Sequence, residues 1–348
     1  MRLLMIPYDP TNPYQQQLGR GLESSGISVS YSGWSWHLPL LGANAVDVLH
    51  IHWLSRATSS PLKFVVALLY FYYQVIRFRR RGGLVIWTVH NLNNHEGRYM
   101  RRERFLGRLI GRLAGAVIVH SERAVEPVVA KFLVRRDKVW VIPHPAYTTR
   151  VSGVSRAEAR ARLNLPSEGI LLVFVGSVRP YKGVEELIAA YAQAGCSSAH
   201  VVIAGESKNS EYRGHIAEIA ERTPGVTLCL RRLEEEEIEL MLVASNAVVL
   251  PYRAILTSGA LVMAMGSGRA CIAPRMGVFE EHLADGGGIL YNPGCVDGLA
   301  DALREAVEHP EMLEKYGERN RALVSLWSPE AVGAQMADVI RKVCDSRR

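Results

Sequence analysis

The sequence predicts an α/β protein made of two doubly wound, Rossmann-like domains in succession. Short apolar runs recur with helix-like stretches between them. The runs are continuously apolar rather than alternating, as in strands buried on both faces of a parallel sheet. The pattern also breaks off near residue 150 and then begins again. The length agrees, because 348 residues exceed what one hydrophobic core usually spans.

In the first half, Leu3 to Ile6 reads as a strand that stops at Pro7, and Tyr14 to Ser24 as an amphipathic helix closed by Gly26. Strands follow at Ile27 to Tyr31, Val46 to Trp53, Leu84 to His90, Ala116 to His120 and Val139 to Pro145. Thr148 to Leu165 is polar and reads as a linker ahead of Pro166. Beyond it come Ile170 to Gly176, His200 to Gly205, Val226 to Leu230, Ala247 to Tyr252 and Ala270 to Pro274, each before a helix-like stretch. Ser328 followed by Pro329 is an N-cap with proline at the first helical position. It opens a last helix expected to cross back to the first domain. The expected domains are therefore 1–150 with 329–348, and 151–328.

Charge divides the chain unevenly. The total is +7, yet residues 1–150 hold 20 Lys/Arg against 8 Asp/Glu, while the remainder holds 21 against 26. An anionic partner, nucleic acid or an acidic membrane surface, is thus expected for the first half alone. The sequence offers no recognition helix, zinc pattern or RNP-like aromatic motif for nucleic acid. No strand leads into G-x-G-x-x-G, which argues against dinucleotide oxidoreduction. Five cysteines with no C-x-x-C pair argue against a disulfide framework and a zinc site. The opening MRLLMIPYDP resembles no signal peptide, so a reducing cytoplasm is the expectation.

Two turns of the second domain carry the chemistry. In FVGSVRPYKGVEELIAAY, a strand ends at Gly176, the loop holds Arg179 and Lys182, and Gly183 admits the chain into a helix. Two cations with backbone N–H groups at a helix N-terminus suit a diphosphate. Two solvated loop cations are the alternative. In LPYRAILTSGALVMAMGSGRACIAP, Thr257 or Ser258 caps a helix starting near Gly259, where a ligand could approach the backbone. If the two strands are neighbours, both turns open onto one crevice.

These residues carry a resemblance. The G-x-x-R-P-Y-K-G block and the L-P-Y-x(5)-S-G block are similar to those of GT-B glycosyltransferases, and in particular of the xanthan-type bacterial β-mannosyltransferases. TNPYQQQL (Thr11 to Leu18), DVLHIHW (Asp47 to Trp53) and TVHNLNNHE (Thr88 to Glu96) extend the likeness through the first half. The resemblance implies two Rossmann-like domains facing a cleft. The second would hold a nucleotide-sugar donor, GDP-mannose, and the first a lipid-linked oligosaccharide acceptor in exopolysaccharide assembly. It further implies donor contacts at Arg179, Lys182, Gly183, Gly205, Glu206, Arg232, Leu233, Tyr252, Thr257, Ser258 and Gly259. Many retaining relatives, including group 1 enzymes, carry two glutamates with seven residues between them; here Ile255 and Met263 stand in those places. Inversion is the better expectation, with one general base and no metal. A retaining transfer from a UDP-sugar and a sugar-nucleotide epimerase are the alternatives.

Few acids in the first domain could be that base. Glu96, beside His95 and shortly after His90, is the first choice, and Asp9 the second. His90 joins them as a catalytic candidate. Asn12, Tyr14, His52 and His95 are candidate acceptor contacts. His52, His90, His120 and His144 all follow buried strands, which suits hydrogen bonds to sugar or phosphate, although a lone strand-end histidine is commonly structural.

PLKFVVALLYFYYQVI (Pro61 to Ile76) is apolar and aromatic, and RFRRRGG follows it. Lys63 and Gln74 leave it shorter than the ~20 residues of a transmembrane helix. An interfacial helix whose arginines meet anionic lipid is expected, with an ordinary sheet-packed helix as the alternative. The protein is thereby expected to be peripheral on the inner face of the cell membrane.

Overall fold

The computed structural model describes residues 1–33, 46–54, 61–93, 100–147, 151 and 153–346, the side chains of 61–63 aside. The chain forms two compact units, Met1–Pro145 with Trp327–Arg348, and Ala146–Leu326.

The first unit alternates β1 (Arg2–Ile6), α1 (Tyr14–Ser24), β2 (Ser28–Tyr31), β3 (Val48–Ile51), α2 (Pro61–Arg80), β4 (Leu84–Thr88), α3 (Met100–Leu113), β5 (Ala116–Val119), α4 (Val125–Phe132) and β6 (Val139–Val141). The six strands make one sheet in the order β2-β1-β3-β4-β5-β6, and every pairing is parallel. β3, β4 and β5 are buried along their whole length, which is why their sequences carry no polar alternation. β1 sits between β2 and β3, so the chain reverses its direction of travel at that point. Loops leaving the carboxyl ends of strands at such a switch point enclose a crevice.

The second unit runs α5 (Arg156–Arg162), β7 (Ile170–Val175), α6 (Val184–Ala194), β8 (Ala199–Ala204), α7 (Ser210–Glu221), β9 (Val226–Cys229), α8 (Glu235–Ala244), β10 (Ala247–Val249), α9 (Gly259–Gly266), β11 (Ala270–Pro274), α10 (Gly277–Leu283), β12 (Gly288–Tyr291), α11 (Gly298–Glu308) and α12 (Pro310–Ser325). Its sheet order is β12-β11-β10-β7-β8-β9, again all parallel. Here the switch point lies between β7 and β10.

The last helix, α13 (Pro329–Asp345), belongs to the first unit and packs on α1. The backbones nearly touch at two glycines. A Cβ on Gly21 would lie 1.7 Å from the Pro329 carbonyl oxygen, and one on Gly333 would lie 2.0 Å from the Gly21 carbonyl carbon.

Three elements depart from the sequence reading. The polar stretch read as a linker contains α5, whose cap Ser155 accepts the Glu158 N–H at 3.2 Å. Its Arg160 is buried and donates to the Ala244, Ser167 and Gly169 carbonyls, so a charged residue works as an internal tie. β12 had no place in the sequence reading, because its four residues begin in a run of glycines. Finally, α2 continues to Arg80, so Arg77, Arg79 and Arg80 are helical rather than a tail after the helix.

Candidate active site

The β7–β10 switch point gathers the second unit's turns. Beyond β7, Gly176 has φ +136°, and beyond β8, Gly205 has φ +144°. A Cβ on Gly205 would lie 2.0 Å from the Gly176 carbonyl oxygen, so glycine lets these two strand ends meet. The Val178 N–H donates to the Glu206 carbonyl at 2.8 Å and fixes the loop against that end. Pro180–Lys182 forms one tight helical turn, and Gly183 at φ +69° then opens α6. A Cβ there would stand 1.9 Å from the Pro251 carbonyl oxygen, while the Arg253 N–H donates to the Tyr181 carbonyl at 2.9 Å. The loops after β7, β8 and β10 are therefore one assembly.

Lys182 lies at its centre. Its ammonium donates to the Tyr252 hydroxyl at 3.0 Å and sits 4.8 Å from that ring's centroid. Desolvation lowers the lysine pKa, and the nearby Arg179 charge lowers it further, while Tyr181 opposes the shift. Burial raises the pKa of Tyr252, and a hydrogen bond to Ser258 partly offsets this. Ser258 also accepts the Leu261 N–H at 3.1 Å, capping α9. Lys182, Tyr252 and Ser258 thus form a line from the loop to a helix start, with no carboxylate in it. The acids of α6's first turn are engaged elsewhere, since Glu185 and Glu186 both pair with Arg253. Two neighbouring cations without a partner acid among the described residues favour a polyanionic ligand.

The other expected donor residues fall in different settings. Thr257 and Gly259 flank the Ser258 cap and are half-buried, while Glu206 is exposed beyond β8. Arg232 is exposed and Leu233 half-buried past β9. Neighbouring Arg231 forks onto the Glu237 carboxylate at 2.9 and 2.5 Å. Glu234 and Glu237 close a capping box on α8, so that acidic run is a helix start.

At the carboxyl edge of the first sheet the chemistry is different. Tyr14, almost wholly buried at the start of α1, is ringed by histidines that end successive strands. Its ring centroid is 5.7 Å from His52, 4.7 Å from His90, 5.3 Å from His120 and 4.9 Å from His144. Nδ1 of His52 and Nε2 of His90 share a hydrogen bond at 3.1 Å, and Trp53 stacks on His90. His50, inside β3, bonds Thr88 Oγ1 at 2.8 Å. Burial drives the pKa of His50 and His144 down to about 3 and that of His120 to about 4. His52 and His90 are also held well below the ordinary value, first by burial and then by the other imidazoles. The sequence reading marked the four histidines around Tyr14 as strand ends but missed His50, which packs on His52, and nothing local in the sequence draws those four around one tyrosine.

Asp9 is exposed, and its carboxylate organises the loop after β1 by accepting the Thr11 N–H at 3.0 Å and the Thr11 hydroxyl at 2.6 Å. Asn12 Oδ1 accepts the Tyr14 N–H at 3.1 Å. His95 and Glu96 lie outside the described residues. Among the described residues no group of three or more His, Cys, Asp or Glu is placed to hold a metal ion.

Residues 155–323 match the family model for glycosyl transferases group 1. The chain carries a glycosyltransferase group 1 domain. A GDP-mannose:glycolipid 4-beta-D-mannosyltransferase of Xanthomonas campestris pv. campestris is 28% identical over 322 residues, covering 87% of this chain and 83% of that protein. Among solved structures, a sucrose-phosphate synthase from Thermosynechococcus elongatus superposes with a TM-score of 0.77 at 19% identity, covering 99% of both chains. The Anabaena protein HepE, solved with UDP and glucose, gives 0.75 at 16% identity over 98% of this chain and 99% of its own. These likenesses place the glycosyltransferase in the GT-B fold, with two parallel six-stranded sheets each layered by helices.

α2 presents two apolar faces. Phe64, Leu68, Phe71, Val75 and Phe78, at spacings of three and four, are buried. On the opposite side Val65, Val66, Leu69, Tyr70, Tyr72 and Tyr73 are exposed, Leu69 by 63% and Val66 by 60%. Arg77 continues that side, donating to the Tyr73 hydroxyl at 3.0 Å, and Arg80 lies one turn on. Among the described residues no helix is long and apolar enough to cross a membrane.

Proposed function

We propose that this glycosyltransferase transfers mannose from GDP-mannose to a lipid-linked oligosaccharide in bacterial exopolysaccharide assembly, with inversion at the transferred carbon. The observation that carries the reading is the Lys182 ammonium, held by the neutral Tyr252 hydroxyl beside Arg179 at the switch point of the second sheet. Because no carboxylate among the described residues neutralises it there, its charge is available to the departing diphosphate. The choice of sugar and acceptor is supported by the relative that acts on GDP-mannose and a glycolipid.

In the proposed step an acceptor hydroxyl oxygen bonds to the sugar's anomeric carbon as the bond from that carbon to the diphosphate oxygen breaks. The bonding pair leaves with the diphosphate, where Lys182, Arg179 and the N–H groups opening α6 and α9 spread the charge. The hydroxyl proton passes to a carboxylate, Glu96 first and Asp9 second. Ile255 and Met263, in place of two acids, support inversion. Since the site's own cations supply countercharge, the reading requires no metal.

The exposed apolar face of α2 supports a peripheral position at the cytoplasmic face of the membrane. Aliphatic and tyrosine side chains suit the headgroup boundary, and Arg77 and Arg80 suit anionic lipid.

A thermal-shift panel of GDP-, UDP- and dTDP-sugars tests the donor, with GDP-mannose expected to stabilise most. Transfer to a lipid-linked oligosaccharide by chelator-treated protein tests the rest. An equatorial anomeric bond in the product is expected. An axial bond would overturn inversion, and activity restored only by a divalent cation would overturn the metal-free step.

A further inference from the structure

The amino edge of the second sheet, opposite the strand ends that carry Lys182, gathers arginines that the donor site does not use. Arg156 opens α5, Arg269 ends the turn between α9 and β11, and Arg321 lies on α12. Two glycines let them meet. Gly268, left-handed at φ +66°, leaves a space that the Arg321 guanidinium fills: a Cβ there would lie 2.6 Å from a terminal nitrogen and 2.9 Å from Cζ. Gly317 lets α12 press on the same turn, since its Cβ would lie 2.2 Å from the Gly268 carbonyl oxygen. Glu314, Gly317 and Arg321 follow at spacings of three and four, so they share one face of α12.

The three guanidiniums meet few acceptors. Arg156 Nη2 donates to Glu314 Oε1 at 2.6 Å, Arg269 Nη1 to the Ser245 carbonyl at 3.2 Å and Arg321 Nη2 to the Ser267 carbonyl at 3.3 Å. Each guanidinium has five N–H donors, and the covered Nε atoms of Arg156 and Arg269 have no partner among the described residues. Burial and then the Arg156 charge lower the Arg269 pKa to about 10, with Arg321 adding to the shift and Glu314 opposing it. Among the described residues Glu314 is the one carboxylate bonded to any of the three. Three cations against one anion leave a surplus of two positive charges, and Lys315 and Glu318, exposed on the same helix, offset each other. The group is open to solvent, because Arg321 is exposed, the Arg156 side chain is 32% exposed and Arg269 is half-buried.

We propose that Arg156, Arg269 and Arg321 form a binding site for a phosphate group, borne as free phosphate or as a small phosphomonoester. The outer guanidinium nitrogens supply the contacts, not the covered Nε atoms. The surplus charge matches a phosphate ester, which carries about −1.5 to −2 near neutral pH, and guanidinium forks match its oxygens in pairs. A carboxylate brings less charge and fewer oxygens, and Glu314 already fills that part. The site goes beyond the donor reading, which neither requires nor uses it.

Broadening of the phosphorus NMR resonance by the full-length protein gives the test. Inorganic phosphate and glycerol 3-phosphate are titrated separately across the millimolar range at constant ionic strength, set with sodium chloride. Saturable broadening with at least one of them is expected, and the tighter of the two says whether the phosphate arrives free or as an ester. No saturable response to either overturns the proposal.

Variants place the ion. Arg321→Gln alters an exposed side chain and should weaken binding about tenfold or more, the loss of a charged hydrogen-bonded contact. Glu314→Gln removes the competing carboxylate and should tighten binding severalfold, a gain that a merely structural tie between Arg156 and Glu314 would not give. Lys182→Ala, which disables the donor loop, should keep a saturable response. Binding lost in Lys182→Ala and kept in Arg321→Gln belongs to the donor loop, and overturns this proposal while leaving the donor reading standing. Unchanged affinity in both Arg321→Gln and Glu314→Gln overturns it as well.

Discussion

Both sheets are six-stranded, parallel and doubly wound, yet they end in opposite chemistries. At the second sheet's carboxyl edge, glycines bring backbones together and two cations stand without a partner acid among the described residues. At the first, neutral imidazoles surround a tyrosine. A doubly wound sheet dictates where a ligand sits, outside the strand ends at the reversal of order, but not which one. That choice rests on the few side chains just past each strand. One edge concentrates positive charge and the other neutral imidazoles, so the same strand-end geometry is put to different chemical use in the two units.

The largest expected effect breaks this comparison by acid. His50, His52, His90, His120 and His144 share an edge with Tyr14, Trp53 and Thr88, and burial lowers each of their pKa values. The unfolded chain therefore binds more protons below the ordinary imidazole value, and stability is full above about pH 6.5 and lost as the pH falls. Each ring can withdraw up to about 1.4 kcal/mol per pH unit, so five together rival the stability of a typical domain within a unit or two. Denaturation of the first unit should show its midpoint collapsing between pH 6.5 and 5, with the second unit much less affected. A flat first-unit midpoint over that range would mean that the imidazoles take up protons without penalty.

The second edge should break by charge removal. Lys182→Ala deletes the ammonium that Tyr252 holds, and turnover should drop ~10²–10³-fold, as when one preorganised group facing developing charge is lost. Lys182→Arg should recover only part, because a planar fork does not fit the short bond to the Tyr252 hydroxyl. Steady-state kinetics with the donor varied would check both. Unchanged turnover in the alanine variant would remove the diphosphate from this loop.

How far the sequence disclosed these edges follows from how local each feature is. Continuous apolar runs such as Leu84–Thr88 and Ile170–Val175 announce buried parallel strands because no polar residue interrupts them. β12 stayed hidden because Gly288 reads as a loop residue, whereas a Cβ there would lie 1.9 Å from the Cys271 carbonyl oxygen of the neighbouring strand. The loop of Arg179, Lys182 and Gly183 was visible since its parts are adjacent. The bond from Lys182 to Tyr252 spans 70 residues, and only the pairing of β7 with β10 brings those two together. The histidines were visible singly, as strand ends. Their gathering about Tyr14 depends on β1, β3, β4, β5 and β6 lying in that order, which no local pattern encodes.

A smaller effect sharpens the account of the second edge. Gly183 and Gly195 stand at the two ends of α6 with nearly the same backbone, φ +69° and +66°. A Cβ on Gly195 meets nothing within 4 Å, while one on Gly183 would lie 1.9 Å from the Pro251 carbonyl oxygen. Gly195→Ala should cost about 1–2 kcal/mol for the left-handed conformation alone. Gly183→Ala adds the displacement of the β10 loop and should cost more, with donor affinity falling alongside. Chemical denaturation with nucleotide titration distinguishes them. Equal costs would mean that the loops after β7 and β10 can part freely.

The smallest expected effect on stability separates the first unit's surface from its edge. Leu69 is 63% exposed on α2, among Val65, Val66, Tyr72 and Tyr73 and one turn or more from Arg77 and Arg80. Since it contributes little to the core, Leu69→Glu should change stability by no more than about 0.5 kcal/mol. The same substitution removes an inserted aliphatic group and sets a carboxylate against anionic lipid. Burying a leucine stabilises by roughly 1.5–3 kcal/mol, so co-sedimentation with phosphatidylglycerol vesicles should weaken at least about tenfold. Donor hydrolysis in solution should be unchanged, because no part of the Lys182 site is touched. Charge reversal at Arg77 and Arg80 should weaken vesicle binding further and make what remains insensitive to salt. If Leu69→Glu binds vesicles as the wild type does, the exposed face of α2 is not the membrane-facing surface, and the first unit's excess of arginine must serve another anionic partner.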